Sequence, residues 1–109
     1  MNIVIRPSSN RSRVDTDFIQ KRLEFALGRF SGRIRSLNVR LTDVNGPKGG
    51  RDKKCLIAVR LQSPSGMVVI EDVDADEVAV VYRATERIGR SVSRAIDAAG
   101  HWSAGPRRL

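Results

Sequence analysis

The chain of 109 residues contains very little cysteine and histidine, with one of each, Cys55 and His101. A single cysteine cannot form a disulfide within the chain, and this pair cannot supply the four ligands of a structural zinc site. No apolar run approaches the roughly 18 residues of a membrane span, and no signal-peptide segment follows the start. We therefore expect one soluble, cytoplasmic, monomeric domain with no metal, no cofactor and no membrane partner.

Aromatic side chains are scarce as well, at 5% of the sequence. Three of the five, Phe18, Phe25 and Phe30, fall in one predicted helix, where we assign them to the core-facing side. No predicted strand carries an aromatic residue. RNA-recognition domains that read sequence stack bases on aromatic residues of a sheet. The sequence therefore disfavours that mode and favours contacts to phosphates.

Acidic residues are outnumbered, since 12 Asp and Glu oppose 20 Lys and Arg for a net charge of +8. Sixteen of the basic residues are arginines, whose planar guanidinium matches phosphate oxygens at two points. Five acids lie in the seven residues from Glu71 to Glu77, which leaves 20 basic and seven acidic residues elsewhere, a balance of +13. This balance favours a polyanionic partner, with nucleic acid first, an anionic membrane second and an acidic protein third. We expect no DNA partner.

Hydrophobic periodicity predicts six elements in the order β-α-β-β-β-α. Asp15 caps a helix that runs to about Phe30, and Asp74 and Glu77, at capping-box spacing, begin a second helix that ends near Ala99. The predicted strands are Asn2 to Arg6, Ile34 to Val44, the alternating run Cys55 to Leu61, and Met67 to Val73.

The last three strands are joined by turns at Asn45 to Asp52 and at Ser63 to Gly66, and so form an antiparallel meander. The apolar stripes of two helices are best buried together on one face of a sheet. The sequence therefore predicts an α+β two-layer sandwich, with two helices packed on one face of a four-stranded sheet. Residues 1–99 would form this single domain, and residues 100–109 a flexible basic tail.

The second helix carries the strongest functional signal. Its apolar residues project to one side, and only Glu86 and Asp97 flank the arginines on the other. A solvated helix face usually mixes both signs of charge, so we interpret these arginines as a docking face for RNA phosphates. The first helix adds three basic residues, Lys21, Arg22 and Arg29. The arginines of the second helix, spaced four, three and four residues apart and here named the arginine ridge, are Arg83, Arg87, Arg90 and Arg94.

Other candidate sites have simpler explanations. Cys55 alternates with buried apolar positions and has no histidine near it in sequence, so we interpret it as a core residue. The acids of Glu71 to Glu77 suit a strand exit and a helix N-terminus better than a metal site. We therefore expect that the protein is not an enzyme. A possible secondary basic cluster lies in a glycine-rich segment without P-loop spacing, and comprises Lys48, Arg51, Lys53 and Lys54.

Three segments together carry a family resemblance. They are Ala26 to Phe30, the run from Leu41 to Asp52 that leads into Cys55, and Asp76 before a helix with arginines on one face. With the element order, they make the chain from Asn2 to about Ala99 resemble the ribosome hibernation-promoting factor and ribosome-associated inhibitor family. Helix two departs from that family's pattern at two places. Val78 stands where many members have an aromatic residue, and the run Arg87 to Ser91, with Gly89 in mid-helix, stands where many have lysine-leucine-glutamate-arginine-glutamine.

The resemblance implies binding to ribosomal RNA of the small subunit, in the channel that messenger and transfer RNA occupy. The basic helices would face the RNA, and translation would be blocked by occupancy. By position, the arginine ridge would carry the contacts of the second helix, and Lys21, Arg22 and Arg29 those of the first. Two other interpretations of the same residues stay open: a general binder of double-stranded RNA, and an adaptor that docks an acidic protein.

Overall fold

The structure, a computed structural model, describes residues 1–7, 15–43, 53–62 and 65–104, with side chains described as far as residue 98. Its elements follow the predicted order. They are β1 (Asn2–Arg6), α1 (Thr16–Leu27), a short 3-10 helix (Gly28–Arg33), β2 (Ile34–Asp43), β3 (Lys53–Gln62), β4 (Ser65–Asp74) and α2 (Glu77–Ala104).

The four strands form one mixed sheet in the order β1-β2-β3-β4. β1 runs parallel to β2, with Ile3 opposite Leu37. The next three strands form the predicted antiparallel meander, in which Val39 lies opposite Ile57 and Ile57 opposite Ile70. Side chains opposite each other on neighbouring strands share a face, so this register places one apolar face under the helices.

Both helices cover that apolar face. α1 buries Ile19, Leu23 and Leu27, which are spaced four residues apart. These side chains form one core with the alternating residues of β2 and β3. The predicted α+β sandwich with two helices on one face of the sheet is therefore confirmed. α2 buries two polar side chains, Glu77 and Thr85, and the apolar side chains Val80, Val81, Ala84, Ile88, Val92 and Ile96.

Cys55 belongs to this core. Its side chain is fully buried in β3, directly opposite Asp72 of β4. Burial, together with the charges of Asp72 and Glu77, raises the pKa of the Cys55 thiol to about 12. The thiol is therefore protonated at neutral pH, which agrees with its assignment as a core residue.

The ends of α1 differ in how well the sequence predicted them. The Asp15 side chain accepts a hydrogen bond from the Asp17 N–H at 3.1 Å, so the predicted cap is confirmed. The α-helix stops at Leu27 instead of Phe30, and the chain continues as the 3-10 helix from Gly28 to Arg33. Short 3-10 segments are common at the ends of α-helices.

Both ends of α2 also differ from the prediction. Its cap is Asp76, which accepts from the Val78 N–H at 3.1 Å, because Asp74 is bound instead by the Asp76 N–H and by Arg83. The helix continues to Ala104, so the first five residues of the predicted tail are helical. Glycine inside a helix costs only about 1 kcal/mol, so Gly100 does not end it.

The structure corrects one predicted turn and does not describe the other or the end of the predicted tail. Ser65 and Gly66, predicted within a turn, belong to β4, where Ser65 lies opposite Gln62. The predicted loop from Asn45 to Asp52 lies outside the described residues, as do residues 63–64 and 105–109.

Candidate nucleic-acid interface

The two helices lie side by side and come closest at Gly89 of α2. A Cβ atom at this position would lie 3.4 Å from both the Cβ and the carbonyl oxygen of Ala26 in α1. An alanine would therefore just touch α1, and a larger side chain would push the helices apart. Glycine, a poor helix former, thus lies in the middle of α2 at a position where a small side chain would already contact α1.

A groove of about 570 Å³ follows this contact between the helices. We call it the interhelix groove. Four of its side chains are arginines, and Glu86 is the acid among them. Its lining comprises Arg22, Phe25, Ala26 and Arg29 on one wall and Glu86, Gly89, Arg90, Ser93 and Arg94 on the other.

Three of these arginines present their charge to the groove. Arg90 and Arg94 are exposed, and within the described part of the chain neither forms a hydrogen bond or an ion pair. Arg29 is exposed on the opposite wall, where its Nη2 lies 3.5 Å from Ser93 Oγ and its guanidinium carbon 4.6 Å from the centre of the Phe30 ring. Three like charges around one groove create a positive potential that attracts anions.

Arg22 is held differently, although it lines the same groove. Its Nη2 donates to Thr85 Oγ1 at 3.2 Å, and its guanidinium lies 4.1 Å from the centre of the Tyr82 ring. Its Nε atom is buried and has no hydrogen-bond partner. Thr85 itself is fully buried and donates to the carbonyl oxygen of Val81 at 2.9 Å. Arg22 thus ties α1 to α2, while the neighbouring Lys21 is exposed and does not line the groove.

The first half of the arginine ridge contacts the sheet, although the Arg83 and Arg87 side chains are still 44% and 43% exposed. Arg83 Nε lies 2.9 Å from Asp72 Oδ2, and its Nη2 lies 2.9 Å from Asp74 Oδ2. Arg87 Nη1 lies 3.0 Å from the same Asp72 oxygen. The expectation that only Glu86 and Asp97 stand near the ridge is therefore wrong, because β4 supplies two further acids that are distant in sequence.

These ion pairs change the acid–base behaviour of β4. Burial alone would raise the pKa of the Asp72 carboxyl, but hydrogen bonds from Arg83 and Arg87 outweigh it and hold that pKa below its ordinary value. The Asp76 N–H and the Arg83 guanidinium lower the pKa of Asp74. Pairing with Asp72 and then Asp74 raises the pKa of Arg83 in turn. All three groups are therefore charged at neutral pH.

The guanidinium groups also contact the backbone of β4. Arg83 Nη2 donates to the carbonyl oxygen of Val73 at 3.1 Å, and Arg87 Nη1 donates to that of Glu71 at 3.1 Å. The acidic stretch from Glu71 to Glu77 thus has two structural roles. It binds Arg83 and Arg87, and its residue Asp76 caps α2. Within the described residues no cluster of three or more His, Cys, Asp or Glu could hold a metal ion.

Phe25 lies on the wall of the interhelix groove and is 86% exposed. Its assignment to the core-facing side is therefore wrong. A helix advances about 100° per residue, so Phe25, two positions from both Leu23 and Leu27, points about 200° away from these core residues. That angle could have been read from the sequence. Phe18 and Phe30, in contrast, pack against the core as expected.

The secondary basic cluster is neutralised as far as the structure describes it. Lys53 Nζ lies 2.7 Å from Asp43 Oδ1, and Lys54 Nζ lies 3.0 Å from Glu71 Oε2. Lys48 and Arg51 lie outside the described residues. The cluster therefore offers less free charge than its sequence indicates.

Comparison with known proteins places this fold in a family. A scan against protein-family models and a search of curated proteins each find no match. In the described part of the chain, no helix is long and apolar enough to span a bilayer. Among solved structures, the chain is similar to the N-terminal domain of Protein Y from Thermus thermophilus, with a TM-score of 0.58 and 30% sequence identity. The match covers 86% of this chain and 98% of that domain. Because this identity extends over nearly the whole of that domain, the chain belongs to the ribosome hibernation-promoting factor family.

Proposed function

We propose that the protein is a cytoplasmic ribosome hibernation factor that binds the small ribosomal subunit in the channel for messenger and transfer RNA. It blocks translation by occupying that channel and catalyses no reaction. Family membership supports the association with ribosomes. The observation that carries the binding mode is the interhelix groove, where Arg29, Arg90 and Arg94 surround one cavity on the side of the helices that faces away from the sheet.

The contacts to ribosomal RNA are divided unequally among the predicted residues. Arg90 and Arg94 are free of intramolecular partners among the described residues, so their guanidinium groups can pair with phosphates at two points each. Arg29 reaches the interhelix groove from the opposite wall, whereas Lys21 adds an exposed charge on α1 outside the groove. Arg83 and Arg87 would have to release Asp72 to bind RNA in the same way.

The test is sedimentation of purified protein with small and large ribosomal subunits through a sucrose gradient. We compare the native chain with the double variant Arg90→Glu, Arg94→Glu. The matched control is Arg40→Glu, Arg60→Glu, which makes the same change in charge at two exposed positions on the opposite face of the sheet. Circular dichroism and thermal unfolding check that each variant is folded.

We expect the native chain and the control to sediment with the small subunit and to inhibit cell-free translation. The groove variant should remain at the top of the gradient and leave translation active. Equal losses of small-subunit binding in the two variants would mean that net charge alone drives binding, and would refute the interhelix groove as the binding site. Equally tight binding to a plain RNA duplex would make the protein a general double-stranded RNA binder. A light complex that resists nuclease would identify a protein partner.

A further inference from the structure

Phe25 has an exposure that the fold does not explain. It is 86% exposed, whereas the next most exposed large apolar side chain in the described residues, Val69, is 54% exposed. A phenyl ring in water forgoes the free energy that burial of a large apolar side chain contributes to folding. The two other phenylalanines avoid this loss by packing against the core. A ring held in water on a groove wall is available to a ligand.

The surroundings of Phe25 define what that ligand is. Arg29 follows Phe25 by four residues on the same wall, and Arg90 and Arg94 stand on the other wall. A cationic groove with one aromatic side chain is the combination that proteins use for single-stranded nucleic acid, because guanidinium groups hold the phosphates and the ring stacks on a base. Arg90 and Arg94 are about 6 Å apart along the helix axis, which lets each one contact a different phosphate.

Other ligands fit this groove less well. A duplex keeps its bases stacked inside the helix and leaves a protruding phenyl ring without a partner. An acidic protein segment would satisfy the arginines, but its carboxylates give the exposed Phe25 ring no flat surface to stack on. The volume of about 570 Å³ is that of a site for a small organic group, since such pockets span roughly 300 to 1,000 Å³.

We propose that the interhelix groove captures one unpaired nucleotide of RNA, whose base stacks on Phe25 while its flanking phosphates bind Arg29 on one wall and Arg90 and Arg94 on the other. This inference rests on the proposed function and specifies its target. The protein would dock where ribosomal RNA presents a base outside a helix. Stacking accepts any base, so the groove recognises the unpaired state and not the sequence.

The experiment uses an oligouridylate of about ten nucleotides with a single fluorescent 2-aminopurine, and a duplex of the same length as reference. Stacking of the probe base on Phe25 quenches its fluorescence. The variants are Phe25→Leu, which keeps an apolar side chain without a ring, and Phe25→Trp, which keeps a ring. Met67→Ala, which shortens an exposed apolar side chain on the far face of the sheet, is the matched control.

We expect the native chain, Phe25→Trp and Met67→Ala to quench the probe. Phe25→Leu should lose the quenching, and its affinity for the oligouridylate and for small subunits should fall about tenfold, while its affinity for the duplex stays unchanged. Unchanged quenching or affinity in Phe25→Leu would overturn the proposal. So would a loss that Phe25→Trp does not rescue, because that pattern belongs to an apolar protein contact.

This result is separable from the proposed function. If Phe25→Leu behaves like the native chain while Arg90→Glu, Arg94→Glu no longer sediments with small subunits, then the stacking site is refuted and ribosome binding stands. If the native chain quenches the probe but does not sediment with small subunits, then the nucleotide site stands and the proposed function is refuted.

Discussion

The two halves of the arginine ridge have the same spacing in sequence and opposite environments in the fold. Arg83 and Arg87 bind Asp72 and Asp74 of β4, whereas Arg90 and Arg94 line a groove with no ion-pair partner among the described residues. One motif is therefore half bound to the sheet and half left without an ion-pair partner among the described residues. Helical spacing identifies residues on one face, but the neighbouring element decides what that face does.

The difference arises from the path of α2. β4 ends at Asp74 and α2 begins at Glu77, so the first turns of the helix lie back along the end of β4 and its acids. Tyr82 and Thr85 already contact α1 through Phe18 and Arg22, and the contact between the helices continues to Gly89. Beyond that point, Arg90 and Arg94 line a groove with Arg22 and Arg29 instead of pairing with the carboxylates of β4.

Salt dependence is the largest effect that separates the two halves. If about six phosphates are neutralised, affinity for small subunits falls roughly a thousandfold between 50 and 200 mM salt. Replacing Arg90 and Arg94 by Gln should lower the slope of this dependence by about two, a difference of about tenfold over that range. Replacing Arg83 and Arg87 by Gln should leave the slope nearly unchanged. Equal reductions in both pairs would contradict the division of the ridge.

We expect the next largest effect from removing the charge of Asp72, which pairs with Arg83 and Arg87. Asp72→Asn should reduce the free energy of unfolding by about 1 kcal/mol at neutral pH, since both arginine partners are more than 40% exposed and water screens the pairs. Because its pKa in the fold lies below the ordinary value of 3.8, the carboxylate stabilises the fold above that value and loses this effect as the pH falls further.

Urea unfolding of the native chain and of Asp72→Asn at a series of pH values measures this difference. The difference in unfolding free energy should be greatest at neutral pH, and it should decrease once the pH falls below the ordinary carboxyl pKa of 3.8. Small-subunit affinity of the variant should be equal to or greater than that of the native chain, since Arg87 is released. A variant that keeps native stability but loses binding would reverse the roles assigned to the two halves.

The smallest expected effect comes from changing Glu86, which lines the interhelix groove with Arg90 and Arg94. Glu86 is exposed in the interhelix groove, and in the described residues it forms no ion pair with the arginines around it. Glu86→Gln removes a like-signed charge from the path of an RNA phosphate and should strengthen binding to small subunits about two- to fivefold, the range for one exposed charge. Filter binding at low salt detects a change of this size. Weaker binding would show that Glu86 itself contacts the partner.

The sequence predicted most of the fold because each element carries its own periodicity. The alternation around Cys55 to Leu61 and the four-residue spacing from Ile19 to Leu27 are local patterns, and both elements formed where they were expected. The end of α2 was missed, because Gly100 is only a weak stop signal and the sequence does not rank it against the Gly105-Pro106 pair that follows.

The candidate site was predicted less completely. Spacing placed Arg90 and Arg94 on one face, but the partners of Arg83 and Arg87 come from another element, and no local pattern reports a contact between residues 11 or 15 positions apart. The groove itself depends on how two helices cross, which involves Ala26 and Gly89 together. The exposure of Phe25, in contrast, followed from its angle on α1 and needed no structure.

The contacts of Arg83 and Arg87 with backbone carbonyls have a further consequence, because β4 is the last strand in the sheet order. An outer strand with free N–H and C=O groups invites pairing with another molecule and aggregation. Here the Val73 N–H donates a hydrogen bond to Asp72 Oδ1. The Val73 carbonyl accepts one from Arg83, and the Glu71 carbonyl accepts one from Arg87. Side chains that resemble an RNA-binding ridge in the sequence thus shield the edge of β4 from Glu71 to Val73, and losing them leaves these backbone groups open to pairing with another strand.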